Sequence, residues 1–215
     1  MTLASTLRAV QCSKYNGQMG RYAMVRTRTV RAVMVLALMA TVGACSWFSH
    51  KPDCCLPHGA IGARYIAIGG EDSPLGRCNG GETERDGGRA QSFTNGAIYW
   101  TDTTGAWEVY GQISNKYTDV GGPTSGVGWP TSGELTTPNN MGRYNRFEHG
   151  GIYFSESGTH PVYGAIFDEW GRQGFESGRF GFPTSDEVQV PDGRQTNFQG
   201  GWIRWITESD QILTS

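Results

Sequence analysis

Three glutamates recur along this 215-residue chain at a nearly constant interval: Glu82, Glu134 and Glu187, which are 52 and 53 residues apart. A carboxylate is a common general acid or base, so a recurring one invites a catalytic reading. Catalysis, however, needs one constellation with differentiated roles, whereas a carboxylate in every copy of a repeat points to scaffolding. Each glutamate precedes a Gly-Arg pair. Arg89, Arg143 and Arg194 follow by seven, nine and seven residues, near enough for an ion pair across a loop. No Gly-x-Ser-x-Gly elbow, His-Glu-x-x-His pair or phosphate-binding loop occurs, and none of the four histidines recurs at the repeat interval. Cys-x-x-Cys or paired-His metal spacing is missing too, so no metal or other cofactor is expected.

The second chemically capable set is aromatic. Ala97-Ile98-Tyr99-Trp100, Gly151-Ile152-Tyr153-Phe154 and Trp202-Ile203-Arg204-Trp205 each follow a glycine-containing turn, the pattern of a hairpin strand. Alternation along a strand groups Ile98 with Trp100, Ile152 with Phe154 and Ile203 with Trp205 on an apolar face, assigned to the core. Tyr99, Tyr153 and Arg204, with Trp202, then point the other way. A tyrosine or tryptophan ring can cover the apolar C–H face of a sugar while its polar tip keeps a hydrogen bond. Tyr99, Tyr153, Trp202 and Arg204 are therefore the candidate glycan-binding residues. The alternative is that Tyr99 and Tyr153 are buried between repeats, as arrays must bury faces against neighbours.

The elements that position these residues repeat with them. Phe180-Gly181-Phe182-Pro183-Thr184-Ser185-Asp186-Glu187 echoes Val127-Gly128-Trp129-Pro130-Thr131-Ser132-Gly133-Glu134, with a weaker copy at Leu75-Gly76-Arg77-Cys78. Gly76, Gly128 and Gly181 can take angles that a Cβ disfavours. The prolines Pro130 and Pro183 push the preceding aromatics, Trp129 and Phe182, into an extended conformation before a turn. Upstream of each copy stands Gly-x-Ile with an aromatic four residues on: Ile61 with Tyr65, Ile113 with Tyr117, Ile166 with Trp170. That spacing places both side chains on one face of a short helix, which glycines then end. The expected fold is α+β: tandem repeats of 52–53 residues, each a short helix, a Gly-aromatic-Pro turn and a β-hairpin. The units are 58–110, 111–163 and 164–215, arranged as an arc or as a pseudo-symmetric, propeller-like ring.

Residues 1–44 read as a leader rather than as fold. Six basic residues and no acidic one accompany an apolar run through Ala32–Ala40, too short to span a bilayer and suited to a signal-peptide core. Translation from Met24 would give a leader of ordinary length. The run ends Thr41-Val42-Gly43-Ala44-Cys45, which resembles a bacterial lipobox. The resemblance implies cleavage before Cys45 and a diacylglyceryl group on its sulfur, anchoring the protein to the outer leaflet of the cytoplasmic membrane. An ordinary cleaved signal and an uncleaved anchor are the alternatives. From Cys45 onward, 12 Lys and Arg face 20 Asp and Glu, a net charge of −8. Such a chain repels phosphate backbones, so nucleic acid is excluded as an expected partner. Residues 45–57 form a linker containing Cys54 and Cys55, and an exported compartment permits a disulfide from one of them to Cys78.

Taken together, Gly-Phe-Pro-Thr-Ser-Asp-Glu at 181–187, Gly-Trp-Pro-Thr-Ser at 128–132, Gly-Arg-Tyr-Asn-Arg-Phe at 142–147 and Asn-Gly-Ala-Ile-Tyr-Trp at 95–100 resemble the LGFP-repeat family over residues 58–215. Phe180 and Val127 replace the family's leucine, and the first copy lacks Phe-Pro. The resemblance implies an actinobacterial protein of the cell envelope that binds or anchors to cell-wall glycan (peptidoglycan or arabinogalactan), without catalysis. A module that recruits or restrains an envelope enzyme is the second expectation, and a cell-wall hydrolase the third.

Overall fold

The computed structural model describes residues 57–215; Cys45, Cys54 and Cys55 lie outside the described residues. Three α+β units of one plan follow each other. The first has helix α1 (Gly59–Ala67) and strands β1 (Thr83–Arg85), β2 (Gly88–Phe93), β3 (Gly96–Thr101) and β4 (Gly105–Tyr110). The second has α2 (Gly111–Asp119), β5 (Leu135–Thr136), β6 (Arg143–Phe147), β7 (Gly150–Ser155) and β8 (Gly158–Tyr163). The third has α3 (Gly164–Arg172), β9 (Val188–Val190), β10 (Gly193–Phe198), β11 (Gly201–Ile206) and β12 (Gln211–Thr214). Each set of strands forms its own four-stranded antiparallel sheet in sequence order. The expected hairpin is thus the centre of a larger sheet. The short strand before the Gly-Arg pair and the strand after the aromatic run add the outer two ladders.

Each helix has nine residues, below the length at which an isolated helix is stable in water. Packing supplies what propensity does not, on both sides for α2 and α3. Helix α1 rests on β3 and β4. Helix α2 contacts β3 and β4 of the first sheet and β7 and β8 of the second. Helix α3 likewise touches β7 and β8 and then β11 and β12. Two of the three apolar cores are consequently shared between units. One joins Tyr99 and Val109 to Ile113, Tyr117 and Ile152; another joins Tyr153 and Val162 to Ile166, Trp170 and Ile203.

This layering corrects the assignment of the two tyrosines. Tyr99 is 8% exposed and Tyr153 4%, so neither offers a ring face to a ligand. Alternation does separate them from Ile98 and Ile152, but both faces of the sheet are covered: one by the unit's own helix, the other by the next. Tyr99 meets Tyr117 edge-on at 5.1 Å between ring centroids, and Tyr153 meets Trp170 at 4.7 Å. On its other side Tyr117 packs on Phe147 at 4.7 Å, and Trp170 on Phe198 at 5.3 Å. The helix aromatic is the middle member of each stack.

The motif segments tie each unit to the one before it. Gly128 and Gly181 have φ of 78° and 65°, angles open to glycine. Their carbonyls accept hydrogen bonds from Tyr117 Oη at 2.8 Å and Trp170 Nε1 at 3.2 Å; Tyr65 Oη does the same to Gly76 at 2.9 Å. The next residue, Trp129 or Phe182, is buried. A Cβ on Gly88 would lie 2.7 Å from the Trp129 ring, and one on Gly142 2.7 Å from Phe182. The aromatic of one unit therefore fills the space left by the Gly-Arg glycine of the preceding unit. The first unit has no such predecessor among the described residues. There Arg77 occupies the position, its side chain 81% exposed and paired with Glu71 at 3.2 Å. Pro130 and Pro183 bridge to Phe147 and Phe198, and Cys78 bridges to Phe93 in the same way. Cys78 is disulfide-bonded; as it is the one cysteine among the described residues, its partner lies outside them.

Candidate functional site

The recurring glutamates converge with the recurring arginines, two of the three pairs beside the residue that precedes a helix. Arg194 Nη1 donates to Glu187 Oε1 at 2.8 Å. Arg143 Nε stands 3.8 Å from Glu134 Oε1, and Arg89 Nη1 3.8 Å from Glu82 Oε2. A tyrosine from the preceding unit joins two of these pairs. Tyr110 Oη donates to Glu134 Oε1 at 3.2 Å, and Tyr163 Oη to Glu187 Oε1 at 3.1 Å. Glu134 and Glu187 are therefore junction residues, each held by a cation of its own unit and a phenol of the preceding one.

Burial sets the electrostatics. Desolvation, followed by the Glu134 charge, pushes the Tyr110 phenol up to about 12. Tyr163 is raised for the same two reasons. Burial also raises the Glu134 carboxyl, opposed by the Tyr110 hydrogen bond and the Arg143 charge. Glu187 in turn raises Arg194, first by its hydrogen bond and then by its charge.

An aromatic completes each cluster. Sheet register pairs Arg89 with Trp100, Arg143 with Phe154 and Arg194 with Trp205, which sets the two side chains of each pair side by side on one face. Sequence alternation assigned Trp100, Phe154 and Trp205 to the core. Instead Phe154 is 39% exposed, and Trp100 and Trp205 are half-buried. Residues two positions earlier, Ile98, Ile152 and Ile203, are fully buried under the helices. The helices begin there and do not extend to the strand ends, so the outer member of each pair is left at the rim. Between α3 and this rim lies a cavity of about 390 Å³, lined by Tyr163, Ala165, Ile166, Glu187, Arg194 and Trp205, with Gly126 and Gly164. A Cβ on Gly126 would collide with the Tyr163 ring, so a glycine there lets the tyrosine reach Glu187.

The remaining expected residues fall elsewhere. Trp202 and Arg204 are half-buried on the face of the third sheet that corresponds to Tyr99 and Tyr153. The Arg204 guanidinium lies 5.0 Å from the Trp202 ring centroid and bonds to Gln195 and Asp192. Gly76, Gly128, Trp129, Pro130, Gly181, Phe182 and Pro183 are framework. The tyrosine–glutamate–arginine–aromatic clusters went unassembled in the sequence reading. The missed signal was the coincidence of the arginine of each Gly-Arg pair and a strand-end aromatic in one ladder, eleven residues apart in all three units.

A second set of charges distinguishes the two junctions. Arg64 of α1 donates to Glu108 of β4 at 2.5 and 2.9 Å, and Gly133 of the second unit abuts that pair. One unit on, Lys116 of α2 is 3.1 Å from Asp186, which His160 Nδ1 contacts at 2.7 Å. Asp186 stands at the position of Gly133, and Pro161 at that of Glu108.

Residues 75–125, 127–178 and 180–211 each match the LGFP repeat family. No curated protein matches the chain.

Proposed function

The chain belongs to the LGFP repeat family, and from that premise we propose that it is a non-catalytic lipoprotein of the cell envelope that attaches to cell-wall glycan through its repeats. The observation that carries this reading is the recurrence of one cluster: a rim aromatic beside an arginine, a glutamate and, at two junctions, a tyrosine. An apolar ring face next to fixed donors and acceptors suits a sugar, and recurrence suits a polymer, where linked weak sites gain by multivalency. One carboxylate lines the third-unit cavity, whereas glycoside hydrolysis ordinarily uses a pair. We read the Gly-aromatic-Pro segment as the turn that docks each unit on its predecessor. We read the array as an open arc, because Trp202 and Arg204 replace the buried pairs Ala97–Tyr99 and Gly151–Tyr153 on the face that a further helix would cover. In this reading Cys45 carries the lipid anchor and holds the array outside the cytoplasmic membrane.

Sedimentation of the full-length protein with purified, protein-free cell wall tests the attachment. Co-sedimentation is expected. Its absence, with retention on protein-containing wall, would favour recruitment of an envelope enzyme instead. Cys45→Ala is expected to move the protein out of the detergent phase or leave it unprocessed; unchanged partitioning and mass would remove the anchor.

A further inference from the structure

We propose that the cavity bounded by Trp205, Arg194, Glu187 and Tyr163 is a subsite for an uncharged sugar residue, and that Phe154, Arg143, Glu134 and Tyr110 form a second such subsite one unit upstream. This inference rests on the glycan reading above and assigns the ligand class within it.

The argument starts from charge. Glu187 and Arg194 neutralise each other at 2.8 Å, so the cleft presents no net charge to attract an ion. An anionic ligand would have to approach the Glu187 carboxylate, and a cationic one the half-exposed Arg194 guanidinium. The acidic balance from Cys45 onward, 12 basic against 20 acidic residues, adds a long-range penalty for anions. What remains is an uncharged polar molecule.

Hydrogen bonding narrows the class further. Both bonds that reach Glu187, from Tyr163 and Arg194, end on Oε1, and the same is true of the Tyr110 and Arg143 contacts to Glu134. In each glutamate Oε2 takes part in none of these contacts, and in this proposal it is the atom that accepts from a sugar hydroxyl. The phenol oxygen of Tyr163, which also receives Arg194, keeps one lone pair for a further donor. Acceptors near a half-buried indole match a ring with one apolar face and several O–H groups. The cavity, about 390 Å³, falls within the usual size of ligand sites. The upstream cluster has the same cross-strand pairing of arginine with aromatic, with Phe154 exposed in place of Trp205. The Trp205 N–H is already donated to Asp210 at 2.7 Å, so either ring supplies an apolar face alone.

The test is titration of the full-length protein in detergent with three oligosaccharides of equal length: galactan, arabinan and polygalacturonate. At least one of the two uncharged probes is expected to bind, and the acidic one to bind at least about tenfold more weakly. Trp205→Ala and Glu187→Gln are each expected to weaken binding about fivefold or more. Trp205→Phe should retain it, and thermal unfolding of every variant reports whether the fold survives. Equal or tighter binding of polygalacturonate would overturn the proposal. So would unchanged affinity in a folded Trp205→Ala, Phe154→Ala double variant. If that double variant still sediments with purified wall, wall attachment stands and the subsites fall. If wild type fails to sediment but binds galactan or arabinan through Trp205, the subsites stand and wall attachment falls.

Discussion

Tyr117 Oη donates a 2.8 Å hydrogen bond to the carbonyl of Gly128, eleven residues along the chain. The ring that carries this hydroxyl is fully buried between Tyr99 of one unit and Phe147 of its own. One side chain thus fixes helix to motif segment and first unit to second. Tyr65 and Trp170 make the corresponding bond in the flanking units, and the donor changes from phenol to indole without loss of the contact.

Removing that hydroxyl isolates the polar part. Tyr117→Phe should cost about 1–3 kcal/mol, because the Gly128 carbonyl is left without its donor in a dry site. Tyr117→Ala should cost more, about 3–5 kcal/mol, as a cavity opens between two sheets. Urea unfolding midpoints check both; equal losses would mean that the hydroxyl contributes nothing.

The motif aromatics separate docking from exposure. Phe182→Ala should destabilise by about 3–5 kcal/mol, since the ring fills the space above Gly142. Arg77→Ala, at the equivalent position of the first unit, should change stability by less than about 0.5 kcal/mol. Thermal unfolding of the pair distinguishes them, and similar shifts would contradict the docking role.

Alkaline pH should unfold the array. Tyr99, Tyr110, Tyr117, Tyr153 and Tyr163 are all raised, in each case chiefly by burial, and Tyr110 stands at about 12. A phenol raised in the folded state binds its proton more tightly there than in the unfolded chain. Its contribution is complete below the unfolded value of about 10 and is lost as pH rises toward the folded one. Stability should therefore fall steeply from pH 10 upward, with phenolate absorbance rising together with loss of the near-ultraviolet circular dichroism. Phenolate formation well before unfolding would show the rings to be accessible.

The junction carboxylates should couple to their arginines unequally. A double-mutant cycle on Glu187 and Arg194 should give about 0.5–1 kcal/mol, modest because the arginine is half exposed. The cycle on Glu134 and Arg143, 3.8 Å apart, should give less. A larger coupling at Glu134 would mean that the pair closes further in solution.

Much of the framework was legible because local chemistry and repeat period agreed. Helix-ending glycines, the Ile113–Tyr117 spacing and the strand around Ile152 each follow from residues close in sequence. The rim was not legible, because alternation tells which residues share a face and not what covers it. Tyr153 and Phe154 sit on opposite faces as expected. Yet the face of Tyr153 receives the next helix, while the helix under Ile152 stops short of Phe154. Coverage is decided by the neighbouring unit, which no local pattern records.

The two helix cations, Arg64 and Lys116, find their carboxylates in different places: the first from a strand, Glu108, the second from the following motif, Asp186. Gly133 and Pro161 stand where the alternative acid would be. Exchange of the second and third units would bring Asp186 toward Glu108, two anions for one cation. It would leave Lys116, in the unit now last, with Pro161 in its own strand and no following motif to supply an acid. The units share a plan but are not interchangeable tiles: their order is written into complementary charges, so recombination among them would be penalised even where every apolar contact was preserved.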